Sequence, residues 1–232
     1  MTEQDCITTE ELARLMDDRA NFYAFASNFL LNEFTAEQIA QLKEMRVPEN
    51  APEEMSNAFA AVKRYMAHCG ADPRTDMAVD YARIFLSAGV YDGLTAEPYE
   101  SVFTSEDGLL MQDSRDDVVA IYRAQGVAVD QQLHMPEDHL GLELEFMSAM
   151  ARRTAEAIRE ADSTDGSYLK AAEAVVVQQN FIERHILNWI DKLIEKVDEF
   201  AELPLYPALM RIVKSQAELD CEVLEEVRQA IM

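Results

Sequence analysis

The chain has 232 residues, of which 49% are hydrophobic, and is therefore long enough to bury a large core without disulfides or structural metals. Its 44 acidic and 20 basic side chains give a formal net charge of -24, which argues against attraction to nucleic acid or to anionic lipid headgroups. A basic partner suits this charge, although an acidic surface also serves simply to keep a protein in solution.

The N-terminal half is predicted to be helical, because its glycines and prolines cluster between long stretches that lack both. Apolar residues recur in these stretches at spacings of three and four, as they do on the buried face of an amphipathic helix. The predicted helices span residues 10–34, 36–45, 52–69, 75–86 and 114–125. Between the last two, residues 87–113 predict a long irregular connection, which in a compact domain is often functional.

The C-terminal half is predicted to contain three long helices, over residues 136–161, 168–201 and 207–231. Gly126 and an extended stretch that ends at Pro136 separate them from the first half, and we expect a hinge or linker near residues 126–136. The predicted fold class is all-α: a single helical bundle of about eight to ten helices that covers residues 1–232, with sub-regions 1–125 and 136–232.

The cysteine pattern and the N-terminal sequence predict a cytoplasmic protein. Cys6, Cys69 and Cys221 are odd in number and form no C-x-x-C pair, so we expect reduced thiols. The first residues lack the basic and apolar regions of a secretory signal, and no stretch approaches the roughly 18 apolar residues of a membrane span. We therefore expect no stable membrane insertion.

The common catalytic, metal and nucleotide motifs do not occur in the sequence. The residues three positions before the four histidines are Tyr65, Gln131, Pro136 and Ile182, so the Glu-x-x-His pairs of a di-metal bundle are missing. H-E-x-x-H, the P-loop, G-x-G-x-x-G and G-x-S-x-G are missing as well. We expect no catalytic residue, no bound cofactor and no metal.

Two of the three segments with unusual chemistry lie before the predicted hinge. Tyr81-Ala-Arg-Ile-Phe85 ends a predicted helix, and its aromatic residues at a four-residue spacing are typical of a core. Glu97-Pro-Tyr-Glu-Ser-Val-Phe103 lies in the irregular connection, where Pro98 restricts the residue before it to extended backbone and presents Tyr99. An aromatic side chain beside acids suits a peptide that carries both apolar and cationic groups.

The third segment, Met135-Pro-Glu-Asp-His-Leu-Gly-Leu-Glu-Leu-Glu-Phe-Met147, has two interpretations. Pro136 at a first helical position, followed by acidic residues, is good helix-initiation chemistry. Alternatively, His139 and Glu143 lie one helical turn apart and share a face, as a recognition or pH-sensitive element would require. The sequence leaves both open.

In this order, the three segments resemble the TorD/DmsD branch of the molybdoenzyme chaperones. Its patterns Y-x-R-L-F, P-Y-E-S and P-x-D-H-x-x-x-E-L-x-F are matched by Tyr81, Arg83 and Phe85, by Pro98 to Ser101, and by Pro136, Asp138, His139, Glu143, Leu144 and Phe146. Phe181, His185 and Trp189 resemble a further helix of the family, and their spacing predicts a packing stripe with a core histidine. Tyr81 and Tyr99 stand where some members carry tryptophan, which leaves the partner preference open.

The resemblance implies a chaperone that binds the twin-arginine signal peptide and/or the apo-form of a molybdopterin oxidoreductase, assists cofactor insertion and delays export until maturation. The peptide-binding residues expected on this basis are Tyr81, Phe85, Pro98, Tyr99, Glu100, Ser101, Pro136, Asp138, His139 and Glu143. Two alternatives are a non-catalytic adaptor that binds a folded redox subunit and a helical-bundle enzyme that uses Asp138, His139 and Glu143. A monomer and a dimer that swaps domains at the hinge both stay open.

Overall fold

The all-α prediction is confirmed by the computed structural model, which describes residues 7–88, 96–129, 133–164 and 167–232. The α-helices in this part of the chain are α1 (Thr9–Leu31), α2 (Ala36–Glu44), α3 (Glu53–His68), α4 (Pro73–Phe85), α5 (Glu100–Thr104), α6 (Asp113–Ala124), α7 (Leu140–Thr164), α8 (Leu169–Phe181), α9 (Ile190–Phe200) and α10 (Leu205–Ile231). Among the described residues, extended pairing is limited to an isolated bridge between Tyr99 and His139. Cys6, Gly89, Gly93 and the centre of the predicted hinge, residues 130–132, lie outside the described residues.

The starts of the first two helices follow from their sequences. The side chain of Thr8 accepts a hydrogen bond from the amide of Glu11, and the Glu11 carboxylate accepts one from the amide of Thr8. Thr35 and Gln38 form the same reciprocal arrangement at α2. Each capping box satisfies amides that a helix start leaves without partners.

Helices α1 and α7 pack closely along each other. A methyl group added to Gly141 would lie 2.7 Å from Cγ of Leu31, so only glycine lets the two helices approach this far. Further along, the Ser148 hydroxyl donates a 2.8 Å hydrogen bond to the carbonyl of Ala20. α10 packs against α3 and α8 and completes the bundle around α1 and α7.

An aromatic cluster fixes the C-terminal end of α4 in the core. The Tyr206 ring centroid lies 6.1 Å from that of Tyr81 and 5.4 Å from that of Phe85. Phe34 also stacks on Tyr206, and the Tyr81 hydroxyl donates to the carbonyl of Leu30 at 3.0 Å. Tyr81 and Phe85 are only 5% and 3% exposed, in keeping with their spacing, which is typical of a core.

The stretch predicted as one helix over residues 168–201 is interrupted, and that prediction is wrong in its middle. A π-helical turn, Ile182–Ile186, follows α8, and the indole Nε1 of Trp189 donates a 2.6 Å hydrogen bond to the carbonyl of His185. The side chain of Trp189 takes the carbonyl that its own main-chain amide would bind in an uninterrupted helix, so the ladder breaks there. Trp189 is fully buried and stacks on Phe103 of α5 at 5.4 Å between ring centroids.

A buried ion pair joins the helices that are most distant in sequence. Arg19 of α1 donates through Nε to Oδ2 of Asp220 on α10 at 2.9 Å, and the Tyr23 hydroxyl donates to the same oxygen at 2.6 Å. Arg19 Nη1 also donates to Gln178 of α8 at 2.8 Å, and the amide of Gln178 donates to Thr154 of α7. One polar network therefore connects four helices inside the core.

We expect Asp220→Ala to lower the free energy of unfolding by about 3–5 kcal/mol, because it leaves the Arg19 charge buried without its partner. Urea denaturation of the parent and the variant measures this loss. Glu199→Ala is the matched control, since it removes a carboxylate from the partly exposed Lys196–Glu199 pair and should change stability only slightly. Equal small losses in both variants would contradict the prediction.

Candidate functional site

The second and third unusual segments meet main chain to main chain. The amide of Glu100 donates to the carbonyl of Asp138 at 2.9 Å, and the amide of Leu140 donates to the carbonyl of Pro98 at 2.8 Å. This antiparallel contact brings the first turns of α5 and α7 together. We call the paired residues 98–101 and 138–141 the motif junction.

Asp138 caps α5 from the other segment. Its Oδ2 accepts hydrogen bonds from the amide of Ser101, at 2.9 Å, and from the Ser101 hydroxyl. Tyr99, the residue before α5, offers no side-chain cap of its own, so Asp138 supplies the acceptor that this helix start lacks. The interpretation of Pro136 as a first helical residue is therefore wrong, because α7 begins only at Leu140.

His139 closes the start of α7 as a neutral ring. Its Nδ1 accepts a hydrogen bond from the amide of Gly141 at 3.0 Å, which assigns the ring proton to Nε2. The ring is 5% exposed and packs edge-on against Tyr99 at 4.9 Å between centroids. Burial lowers the pKa of His139 to about 3. The imidazole is therefore uncharged near neutral pH, and the pH-sensitive interpretation of His139 finds no support.

Glu100 and Glu143 form a buried carboxyl pair beside His185. The Glu100 Oε2 atom lies 2.9 Å from Nδ1 of His185. Glu143 is fully buried, and no donor among the described residues reaches either of its carboxyl oxygens. Burial, together with the negative charges of Glu100 and Asp138, raises the pKa of Glu143 well above its usual value, and the hydrogen bond between Glu143 and Glu100 favours the protonated form in the same way.

The pKa of Glu100 is also raised, but contacts with two neighbours oppose the shift. Burial raises its pKa, but the contact with His185 and the proton of Glu143 both favour the ionised form. The Glu100 carboxyl thus has hydrogen-bonding contacts with His185 and Glu143, and these reduce the cost of burying it. The arrangement is a buried network rather than an open reactive cleft, although no donor in the described part of the chain reaches Oδ1 of Asp138 or the carboxyl oxygens of Glu143.

The structure brings most of the predicted site residues together but turns most of them inward. The junction and its carboxyl pair contain Pro98, Tyr99, Glu100, Ser101, Asp138, His139 and Glu143. Tyr81 and Phe85 belong to the aromatic cluster, and the Ser87–Glu97 hydrogen bond of 2.6 Å ties that end of α4 to the junction segment. Tyr99 and Pro136 are half-buried and the other eight are buried. Contact of these residues with a peptide stays a prediction.

An exposed apolar triplet follows the junction and was not predicted from the sequence. Leu109, Leu110 and Met111, in the loop between α5 and α6, are 54%, 41% and 59% exposed. In the first turn of α6, which follows this loop, Arg115 Nε donates to Oε2 of Glu137 at 2.7 Å. This contact links α6 to the segment that precedes α7. Three large apolar residues in succession between acidic ones were the available signal. We call Tyr99, Pro136 and this triplet the motif surface.

Comparison with known proteins places the chain in a family. Residues 48–195, more than half of the chain, match the family model described as nitrate reductase delta subunit. The chain belongs to the TorD/DmsD family of molybdoenzyme maturation chaperones, which confirms the resemblance seen in its motifs.

Three relatives illustrate the match, and each is named chaperone protein TorD. The protein of Vibrio cholerae O395 is 27% identical over 229 residues, which cover 95% of this chain and 98% of the relative. That of Vibrio vulnificus YJ016 is 25% identical over 224 residues, covering 93% and 98%. That of Vibrio parahaemolyticus RIMD 2210633 is 30% identical over 153 residues, 66% of each chain. Within the described ranges, no helix has the length and apolar character needed to cross a membrane.

We expect the glutamate at position 143 to lower stability progressively as pH rises above about 4.5, and Glu143→Gln to remove this contribution. A raised pKa in the folded state means that the folded protein binds more protons than the unfolded chain, whose glutamates titrate near 4.5. The stabilisation is complete below that value and is lost as pH approaches the raised pKa, by at most about 1.4 kcal/mol per pH unit.

Urea denaturation at several pH values in this window measures the slope for the parent and the variant. His139 adds a dependence between about 3 and its ordinary value of 6.5, but this contribution is the same in both proteins and cancels in the comparison. Glutamine keeps the shape of a protonated glutamate and has no proton to lose. The same slope in both proteins would show that folding does not raise the pKa of Glu143.

Proposed function

We propose that this chaperone binds the twin-arginine signal peptide and/or the apo-form of a molybdopterin oxidoreductase, assists cofactor insertion and delays export until maturation. The observation that carries the proposal is the half-buried Tyr99. The main-chain hydrogen bonds of the motif junction hold its backbone, and the ring of His139 packs against its side chain. A rigid aromatic side chain gives contact area at little entropic cost on binding.

The chemistry of the motif surface supports a signal peptide as its partner. A twin-arginine signal joins two cations to an apolar run, so its receptor needs carboxylates beside apolar or aromatic groups. The exposed triplet offers apolar area, with Glu106 and Asp107 before it and Asp113 after it along the chain. The net charge of -24 adds a long-range attraction for any cationic segment.

In this proposal, the buried site residues act by positioning the surface. Asp138 holds the start of α5, His139 supports the Tyr99 ring, and the pair formed by Glu100 and Glu143 fills the space beneath. Tyr81 and Phe85 anchor the end of α4 in the aromatic cluster. Direct contact with the peptide is assigned to Tyr99, Pro136 and the triplet.

A non-catalytic role fits the same geometry. An enzyme built on Asp138, His139 and Glu143 would need substrate to reach side chains that are 0%, 5% and 0% exposed. The relatives, moreover, are named as chaperones. We therefore retain the chaperone and the adaptor for a folded redox subunit as the two functions to be separated. A chaperone that meets the signal before export works in the cytoplasm.

We expect Tyr99→Ala to lose at least about tenfold in affinity for a synthetic Arg-Arg signal peptide, equal to about 1.4 kcal/mol. Calorimetric titration measures the affinity, and circular dichroism verifies that the variant is folded. Tyr168→Ala is the matched control, because Tyr168 is also half-buried but lies at the start of α8. Raising the salt concentration should weaken binding without abolishing it, since apolar contacts supply most of the affinity.

The same titration with a folded redox subunit separates the two functions. Binding of the folded subunit, with no affinity for the peptide, would establish the adaptor. If Tyr99→Ala and the parent bind the peptide with equal affinity, the motif surface is not where the peptide binds. His139→Ala should lose affinity together with stability, because His139 supports both Tyr99 and the start of α7.

A further inference from the structure

A groove of about 700 Å³ runs between the first turns of α3 and of α10. We call the lining residues Ala58, Ala61 and Ala208 its floor and Pro204 and Pro207 its wall, and the rest of the lining is polar: Glu53, Glu54, Asn57 and Arg211. A volume of this size is comparable to that of ordinary ligand-binding clefts. None of the ten predicted site residues lines it, so the groove is separate from the motif surface.

The small side chains of the groove leave a space that only large side chains of a partner can fill. Alanine side chains leave the space between the helices open, and the prolines stiffen the wall and offer no amide donor. A ligand that fills the groove must therefore bring large apolar side chains. Their burial would be favourable at about 25 cal/mol for each Å² removed from water.

The rim of the groove carries two acidic side chains, Glu53 and Glu54. Glu53 and Glu54 are exposed, and neither has a hydrogen bond or an ion pair within the described part of the chain. Arg211, which lines the groove, and Lys214 both interact electrostatically with Glu54. Each is also paired with another acid, because Arg211 makes two hydrogen bonds to Asp198, at 2.9 and 2.6 Å, and Lys214 pairs with Asp191. An incoming cation therefore meets the carboxylate of Glu53 and that of Glu54, whose charge is balanced only in part because both neighbouring cations have other acidic partners.

A simpler role explains only part of this arrangement. Acidic residues in a first turn stabilise a helix by interacting with its dipole, and Pro52 gives α3 no side-chain cap. That role accounts for the sign of the two charges. It does not account for an open apolar groove beside them.

We propose that the groove docks a basic polypeptide segment, with its bulky apolar side chains on the alanine floor and its Lys or Arg side chains paired with Glu53 and Glu54. The partner is an extended or helical segment of a protein that also carries positive charge. This contact is additional to the signal-peptide site and does not require that site to be correct. A chaperone with both surfaces can hold one client at two places.

Fluorescence anisotropy with a labelled synthetic peptide, two lysines followed by alternating leucine and alanine, tests the proposal. We expect the double variant Glu53→Lys/Glu54→Lys to bind it at least about tenfold more weakly than the parent. Ala61→Trp should have a similar effect without any change of charge, because the indole fills the floor. A peptide with glutamates in place of the lysines should bind poorly to the parent and to every variant.

The control is Glu222→Lys/Glu226→Lys, which makes the same change of net charge at exposed positions on α10. Glu222 lies about 16 Å further along that helix than Arg211, at 1.5 Å per residue, so the groove is untouched. We expect this control to bind like the parent. If Glu53→Lys/Glu54→Lys unfolds, as measured by circular dichroism, Glu53→Gln/Glu54→Gln takes its place and should show a smaller loss.

Three results would overturn the proposal. The first is no measurable binding of the lysine–leucine peptide by the parent. The second is an equal loss in the groove variants and in the control, which would mean that net charge alone attracts the peptide. The third is a loss caused by Tyr99→Ala but not by the groove variants, which would assign the peptide to the motif surface and leave the signal-peptide proposal intact.

Discussion

The hydrogen bonds from Ser101 to the carboxylate of Asp138 are the contact on which the rest of the site depends. They join segments 37 residues apart and supply the cap that α5 cannot provide for itself. A helix of five residues has little stability of its own, so its position is set by what holds its ends. Through this cap, the direction of α5, the placement of Tyr99 and the start of α7 are fixed together.

Burial of so many polar groups in one place requires that they satisfy one another. Glu100 contacts His185 and Glu143, His139 is neutral and accepts from a main-chain amide, and the raised pKa of Glu143 favours its uncharged form. Each solution lowers the desolvation penalty that isolated charges would suffer in a core. A second network, built on Arg19 and Asp220, resolves the same problem by pairing full charges. The two networks lie in different parts of the bundle and use different electrostatics.

Local sequence was sufficient for most helices and insufficient wherever a distant residue decides the backbone. α1, α2, α3 and α6 begin and end within a few residues of the predicted positions, because caps and apolar spacing are local signals. Pro136 and the acids after it also read locally as a helix start, yet Asp138 is drawn to Ser101 and α7 begins later. The burial of His185 could be predicted from its spacing, whereas its partner Glu100, 85 residues away, could not. The motif residues of the candidate site were found through the family resemblance, and their inward orientation followed only from the fold.

The interruption after α8 places a natural fluorophore, Trp189, in the core next to the motif junction. Trp189 is the single tryptophan of the chain, and it is fully buried against Phe103 of α5, with its indole bound to the carbonyl of His185. His185 in turn contacts Glu100 at the motif junction. Tryptophan emission shifts to longer wavelength when the indole meets water, so the intrinsic fluorescence of this chain reports on the packing beneath the motif surface without any attached label. Loosening of the junction can thereby be followed in real time and separated from unfolding of the whole bundle, which far-ultraviolet dichroism records through its helices.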